Sequence, residues 1–286
     1  MLGRGVAIAY AEHDDWEQAF AWLQPTFQRA DLVAANLESP LAYPHAKIIP
    51  QGYDLRAPLD GLKAISSSGF DILSIANNHI QDEGMEGAFY TEKKLKESGL
   101  LSVGLSQQPL LIEKDGLRLA FLAWDDAKQN PFSVIVKHPL DIQQAAQVVS
   151  KARLKGYWVI VSMHWGSEYC LGTSARQREI AQAFADAGAT LIWGHHPHVL
   201  QPITWLQGKG QSKPTLVAYS LGNALFDQMT PPGAKMSVVL EVELSRDGIR
   251  EMNSIPFEIQ AHKGRVGAPK PETVEKVYHD IYVEKR

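Results

Sequence analysis

The sequence predicts a mixed-sheet α/β fold, and three observations carry that expectation. Short apolar, partly β-branched segments alternate with helical periodicities along most of the chain. Two hairpin signatures, Lys114-Asp115-Gly116 and Arg246-Asp247-Gly248, interrupt and follow that alternation. Five of the apolar segments end in polar tips, at Glu38, at Asn78-His79, at His164, at His195-His196-Pro197-His198 and at Asn223.

The chain has 286 residues, 45% apolar and 21% charged, enough for a sizeable core in one large domain or two small ones. No composition shift marks a boundary, so residues 1–286 are read as a single domain. Residues 1–10 hold no full strand. Trp16, Phe20, Leu23 and Phe27 fall at helical spacing and predict a helix over 13–30. Residues 31–38 read as a strand closed by Ser39-Pro40. Residues 41–57 read as loop, 59–68 as a helix ended by Gly69, and 70–76 as the next strand. A helix follows over 84–98, then a short strand over 101–103 and a hairpin over 110–124. Residues 125–139, with Asp125, Asp126 and His138, are irregular. Helices are predicted over 141–154, 177–186 and 271–283, strands over 158–163, 189–193 and 215–220, and a second hairpin over 236–259. Gly194 is read as a turn that releases the strand into the histidine loop.

Several function classes fall away. A net charge of −4 and a pI near 6.2, with no basic run, argue against a nucleic-acid footprint. The single Cys170 excludes an intramolecular disulfide and a cysteine-based zinc site, and it is read as packed or incidental. No apolar run is long enough to span a bilayer, and the first residues lack the apolar core of a signal peptide. A soluble, cytoplasmic protein with no membrane segment is the expectation.

The chemistry concentrates at the strand ends. Three of the ten histidines fall within four positions, His195, His196 and His198, directly after an apolar strand. A His-x-His pair at a strand mouth can aim two imidazoles at one point, as a transition-metal site requires. Loops at one edge of a sheet converge, so one metal centre accounts for all five polar tips together. Asn36 and Glu38, two apart on an extended chain, face the same way. Imidazole, carboxylate and amide oxygen suit manganese, iron or zinc, and the ligands outnumber those of one tetrahedral ion. Two divalent ions are therefore expected, an arrangement suited to phosphoester hydrolysis.

The segments Asp31-Leu-Val-Ala-Ala-Asn-Leu-Glu38, Ser74-Ile-Ala-Asn-Asn-His79, Met163-His-Trp-Gly-Ser-Glu-Tyr169, Gly194-His-His-Pro-His-Val-Leu-Gln-Pro202 and Tyr219-Ser-Leu-Gly-Asn223 resemble, in order, the motif series of the CapA-type capsule-synthesis family. That family is associated with poly-γ-glutamate synthesis and belongs to the calcineurin-like metallophosphoesterase superfamily. The resemblance implies a four-layer α-β-β-α sandwich of the metallo-dependent phosphatase kind, with metals at the strand ends. It makes Asn78, His164, His196 and His198 metal ligands and His79 the catalytic acid or electrophile. Glu38 stands where the superfamily usually has a bridging Asp and is expected as a further metal ligand. His195 is additional, and either touches substrate or replaces its neighbour as ligand. Asn36, Asn77, His195 and Asn223 are expected to contact substrate or brace the ligands, and Glu168 is a weaker candidate for substrate contact. In the family, residues like Met1-Leu-Gly-Arg-Gly5 follow a strand and a Gly-Asp pair. A first strand and a ligand Asp are therefore expected upstream of Met1, where a signal peptide or membrane anchor would reassign the protein to the cell exterior.

The leading functional expectation is a metal-dependent phosphoesterase linked to capsule or poly-γ-glutamate synthesis. One alternative keeps the metals and hydrolyses a γ-glutamyl amide. Another is a non-catalytic polymer-binding or assembly subunit. A polyanionic polymer demands a basic groove, and no Lys/Arg cluster is visible along the sequence, which favours a small phosphoester over a γ-glutamyl polymer as substrate.

Overall fold

Strands pack face to face in the middle of the molecule, and helices cover their outer sides. The computed structural model describes residues 1–12, 15–43, 55–127, 139–260 and 265–282. Helix α1 (Arg4–Ala11) and the single turn α2 (Gln24–Phe27) lead into strand β1 (Ala34–Asn36). Helix α3 (Leu62–Ser66), β2 (Ile72–Ser74), α4 (Gly84–Glu97) and β3 (Leu101–Val103) complete a parallel sheet of order β1-β2-β3. The hairpin of β4 (Leu110–Lys114) and β5 (Leu117–Asp125) opens a second sheet. It continues through α5 (Ile142–Leu154), β6 (Trp158–His164), α6 (Ala175–Asp186), β7 (Leu191–His195), β8 (Leu200–Leu206) and β9 (Thr215–Leu221), in the order β4-β5-β6-β7-β9-β8. Its four central strands are parallel, and β4 and β8 run antiparallel at the edges. A long hairpin of β10 (Met236–Ser245) and β11 (Gly248–Gln260), with β12 (Arg265–Gly267), makes a third sheet beside helix α7 (Pro271–Tyr282).

Burial assigns the layers. Ile72, Ala76 and Val103 from the first sheet meet Leu119, Phe121 and Ala123 of β5 across the inner face. Val149 of α5 and Ile180 and Phe184 of α6 cover Val159, Val161 and Ile192 on the far side of the large sheet. Leu62, Ile65, Ala88 and Leu95 from α3 and α4 cover Leu73 on the far side of the small one. The arrangement is the expected helix–sheet–sheet–helix sandwich. Met236 and Val238 of β10 join it by packing with Leu200, Leu216, Val277 and Ile281. No helix among the described residues is long and apolar enough to cross a membrane.

The structure departs from the sequence expectations at a few places. The helix expected over 13–30 is a short 3-10 turn at Trp16–Gln18 and the single turn α2, although Trp16, Phe20, Leu23 and Phe27 are all buried as the spacing implied. Pro25 explains the break: it has no N–H to donate, and it sits where a helix can only begin. Helix α6 starts two residues earlier than expected, because Ser174 and Gln177 form a reciprocal capping box. Strand β8, which contains Pro202, was not among the expected strands. On an edge strand the missing N–H is tolerated, and the pairing with β9 passes over Pro202 from Gln201↔Ser220 to Ile203↔Ala218. Gly194 is not a turn but lies inside β7, where a Cβ would stand 2.1 Å from the Tyr219 carbonyl oxygen and 2.4 Å from Trp165 Nε1. His138 and most of the loop over 41–57 lie outside the described residues.

Candidate metal centre

Parallel strands in two facing sheets deliver their C-terminal ends to one corner. Asn36 ends β1, and Glu38 lies two residues on. Asn77, Asn78 and His79 follow β2, His164 ends β6 level with His195 of β7, and Asn223 follows β9. Glu38, Asn77, His79, His164, His195, His196, His198 and Asn223 are buried, an unusual density of polar groups in so small a volume. Burial of this kind is unfavourable unless each group finds a partner.

Glu38 sits at the centre. Its Oε2 accepts a hydrogen bond from Asn36 Nδ2 at 3.2 Å. Asn77 Nδ2 in turn donates to Asn36 Oδ1 at 3.2 Å and to the Leu37 carbonyl at 2.8 Å, so Asn36 and Asn77 fix the carboxylate rather than reach outward. The other oxygen, Oε1, is buried with no hydrogen-bond donor. It lies 3.5 Å from His164 Nε2 and 3.8 Å from His198 Nε2. Burial pushes the Glu38 carboxyl up to about 8, against the opposing pull of the His79 charge.

The histidines are held from behind. His164 Nδ1 lies 2.6 Å from His195 Nδ1, and His195 Nε2 lies 2.8 Å from Ser162 Oγ. One proton must lie between the two Nδ1 atoms. If His164 Nδ1 carries it, His164 Nε2 keeps its lone pair for the corner, and His195 must carry its own proton on Nε2 and donate it to Ser162. A single tautomer choice thus propagates through three residues. His198 is held in the same manner. Asn223 Nδ2 donates to the carbonyls of His198 and Ala234, at 3.3 and 2.9 Å, which fixes the amide orientation. Asn223 Oδ1 then accepts from His198 Nδ1 at 2.8 Å, leaving His198 Nε2 to face Glu38. Burial lowers the pKa of His198 to about 4 and those of His164 and His195 well below the ordinary value, so all three are neutral imidazoles near pH 7.

The loop carrying His196 and His198 is strained, with φ of 99° and 58° at two non-glycine residues. Pro197 separates them, and the backbone turns both rings inward; the His164 and His196 ring centroids lie 4.7 Å apart. Donor atoms of Glu38, His164 and His196 lie within 4.8 Å of one another, and so do those of Glu168, His196 and His198. Asn78 Oδ1 stands 2.8 Å from His164 Nε2, so either that nitrogen donates a proton to it or both atoms turn lone pairs on one cation. The neutral imidazoles, the buried carboxylate and its undonated oxygen fit a divalent transition ion.

His79 occupies a different position in the cluster. Its Nδ1 lies 2.9 Å from Asp82 Oδ2. Burial alone would lower its pKa, but the Asp82 hydrogen bond and the Glu38 and Asp82 charges outweigh burial and raise it. His79 is thus poised to carry a proton where its neighbours are not. Asp82 was missed in the sequence; the signal was a carboxylate one helical turn beyond a strand-end histidine. Arg4 was missed as well. Its charge reaches His198 and Tyr169, and Asp227 holds it at 3.1 Å. Asp126 belongs elsewhere, pairing with Arg176 at 3.1 Å. Cys170 is exposed, not packed.

Residues 1–228 match the family described as bacterial capsule synthesis protein PGA_cap. The chain is 31% identical over 274 residues to the PGA biosynthesis protein CapA of Bacillus subtilis, covering 91% of this chain and 69% of that one. It is 31% identical over 291 residues to the capsule biosynthesis protein CapA of Bacillus anthracis, covering 96% and 67%. A probable polyglutamine synthesis accessory protein of Mycobacterium tuberculosis is 27% identical over 234 residues, covering 74% and 59%. Among solved structures, a hypothetical protein from Thermus thermophilus superposes with a TM-score of 0.53 at 16% identity, over 82% of this chain and 91% of that one, and shares the fold. The family match and the two CapA relatives agree with the motifs gathered at this corner: the chain belongs to the CapA-type bacterial capsule synthesis family.

Proposed function

We propose that the chain is a metal-dependent hydrolase of the phosphoesterase type that serves capsule or poly-γ-glutamate synthesis. The observation that carries this reading is Glu38 Oε1, buried without a hydrogen-bond donor and facing His164 Nε2 and His198 Nε2 at 3.5 and 3.8 Å. Glu38, Asn78, His164 and His196 would hold one ion, and His198 and Glu168, with His196 between the two groups, would hold a second. Bound there, manganese, iron or zinc would supply positive charge against an oxyanion and make water a better nucleophile at neutral pH. Asn36 and Asn77 aim the Glu38 carboxylate, His195 sets the tautomer of His164, and Asn223 sets that of His198. His79, oriented through Nδ1 by Asp82, would give a proton from Nε2 to the leaving oxygen. Arg4, held by Asp227 near the rim, would face the negative end of the substrate.

The test is elemental analysis of the purified protein, followed by a colorimetric screen of phosphomonoesters and phosphodiesters with added manganese. We expect bound transition metal in the parent protein, its loss in a folded His164→Ala variant, and phosphate release by the parent alone. Metal content unchanged in that variant would sink the proposed centre. Metal binding with no phosphoester turned over, but with γ-linked glutamate polymer shortened, would replace the phosphoesterase reading with amide hydrolysis.

A further inference from the structure

A second feature lies at the opposite end of the large sheet. Two adjoining cavities of about 310 and 390 Å³ open where strands β5, β6 and β9 begin, at the end away from Glu38 and the histidines. Arg153, Trp158, Lys213 and Asp247 line both. Arg118 and Arg246 extend the wall on one side and Trp205 on the other. Four cations thus face one anion, Asp247, in a chain whose net charge is −4. Their partners are few. Arg118 is tied to Glu113 at 3.5 Å and donates to the Lys155 carbonyl. Arg153 stacks over Trp158 at 4.7 Å. Among the described residues, Arg153, Lys213 and Arg246 form no ion pair.

The cations come from four distant parts of the chain: the start of β5, the end of α5, the loop before β9 and the β10–β11 turn. No Lys/Arg cluster shows along the sequence because these cations become neighbours only in the fold. The shape of the groove selects its ligand. A single phosphate is held by donors converging on one point, commonly backbone amides at a helix N-terminus. Here the cations are strung along two connected cavities and are mostly exposed, with Trp158 and Trp205 between and beyond them as flat apolar surfaces. That alternation of charge and apolar surface suits an extended chain with a carboxylate on each repeat and methylenes between.

We propose that this groove binds a linear polycarboxylate, of the kind a γ-linked glutamate chain presents. The choice of ligand rests on the alternation of cations and flat apolar surface along the groove and not on the hydrolase reading, so either proposal can fail alone.

The experiment is fluorescence anisotropy with labelled poly-γ-glutamate of defined length, on the full chain with and without its metal. Replacing three cations together, by Arg153→Gln, Lys213→Gln and Arg246→Gln, is expected to weaken binding roughly 10-fold or more. Added salt should weaken the parent protein's binding, and metal removal should leave it in place. Should the triple variant unfold, the exposed Arg246→Glu alone is expected to weaken binding measurably. Binding equal to the parent's in whichever variant is folded would overturn the proposal. So would loss of binding on metal removal, which would locate the polymer at the metal corner. Displacement of the label by inorganic phosphate as readily as by unlabelled polymer would show a single-oxyanion site instead, and duplex DNA competing as well as the polymer would show an unselective polyanion surface.

Discussion

The two ends of the large sheet handle charge in opposite ways. At the C-terminal end, polar groups are buried, mostly neutral and fixed by hydrogen bonds from behind, as Ser162, His195 and His164 illustrate. At the N-terminal end, permanently charged side chains stand in or near solvent with few partners. Buried groups can be aimed to fractions of an ångström but are expensive to disturb. Solvated cations are aimed loosely and are individually dispensable. The first arrangement suits an ion and a reacting bond, and the second suits a long ligand that is held without being altered.

The contrast predicts large single-residue effects at one end and small ones at the other. The largest concerns His79. His79→Ala should reduce turnover of the best phosphoester by roughly 10²-fold or more while the metal is retained. Joint loss of metal and activity would make His79 a ligand, and unchanged turnover would remove it from the chemistry. Next comes His195, whose two ring nitrogens are taken up by Ser162 and His164. His195→Ala should lower metal affinity by roughly 10–100-fold in a chelator competition, since His164 loses the partner that sets its tautomer. Equal affinity would show that His164 needs no brace.

A third prediction follows from protonation of the metal-free protein. His164, His195 and His198 have lowered pKa values, so the stability they contribute is full above the ordinary 6.5 and is lost as pH falls, toward about 4 for His198. Glu38 opposes them: its raised value makes its contribution full below 4.5 and lost as pH rises through about 8. His79, also raised, loses its contribution above 6.5. Three groups against one make the site weaken on acidification below 6.5, and two make it weaken on alkalinisation above it. Each net proton is worth about 1.4 kcal/mol per pH unit. Urea denaturation in chelator at pH 5, 6.5 and 8 should therefore find a maximum near the middle value. A steady rise from pH 5 to 8 would contradict these assignments. The smallest effect is expected at the other end: Arg118→Gln, already occupied with Glu113, should change polymer affinity by about 2-fold or less, below the effect of Arg153→Gln. The reverse order in a salt-matched titration would misplace the centre of the groove.

The same contrast explains what could be read from the sequence. The convergence of polar residues at one corner was legible because each strand delivers its contribution as a short motif, such as Asn78-His79 or His196-Pro197-His198, directly after an apolar run. The layers were legible for the same reason, since alternating periodicities dictate alternating elements. Asp82 was not, because its partnership with His79 depends on the turn between them. The basic groove was not, because Arg118, Arg153, Lys213 and Arg246 are neighbours only after the sheet is assembled. The helix expected over 13–30 gave the right burial and the wrong backbone; apolar spacing reports a buried face, and Pro25 decides the conformation.

Strand β6 joins the two ends, with Trp158 at the groove and His164 at the histidine corner. Its seven residues span about 20 Å at ~3.3 Å per residue. A polymer held by the cations could touch Glu38 only by running around the outside of the sheet, at least that far. The strand is in effect a ruler: a γ-linked repeat has five backbone bonds against three in an α-linked residue and extends ~6 Å, so a chain shorter than about three to four extended repeats meets one end of the protein or the other, and only a longer one meets both.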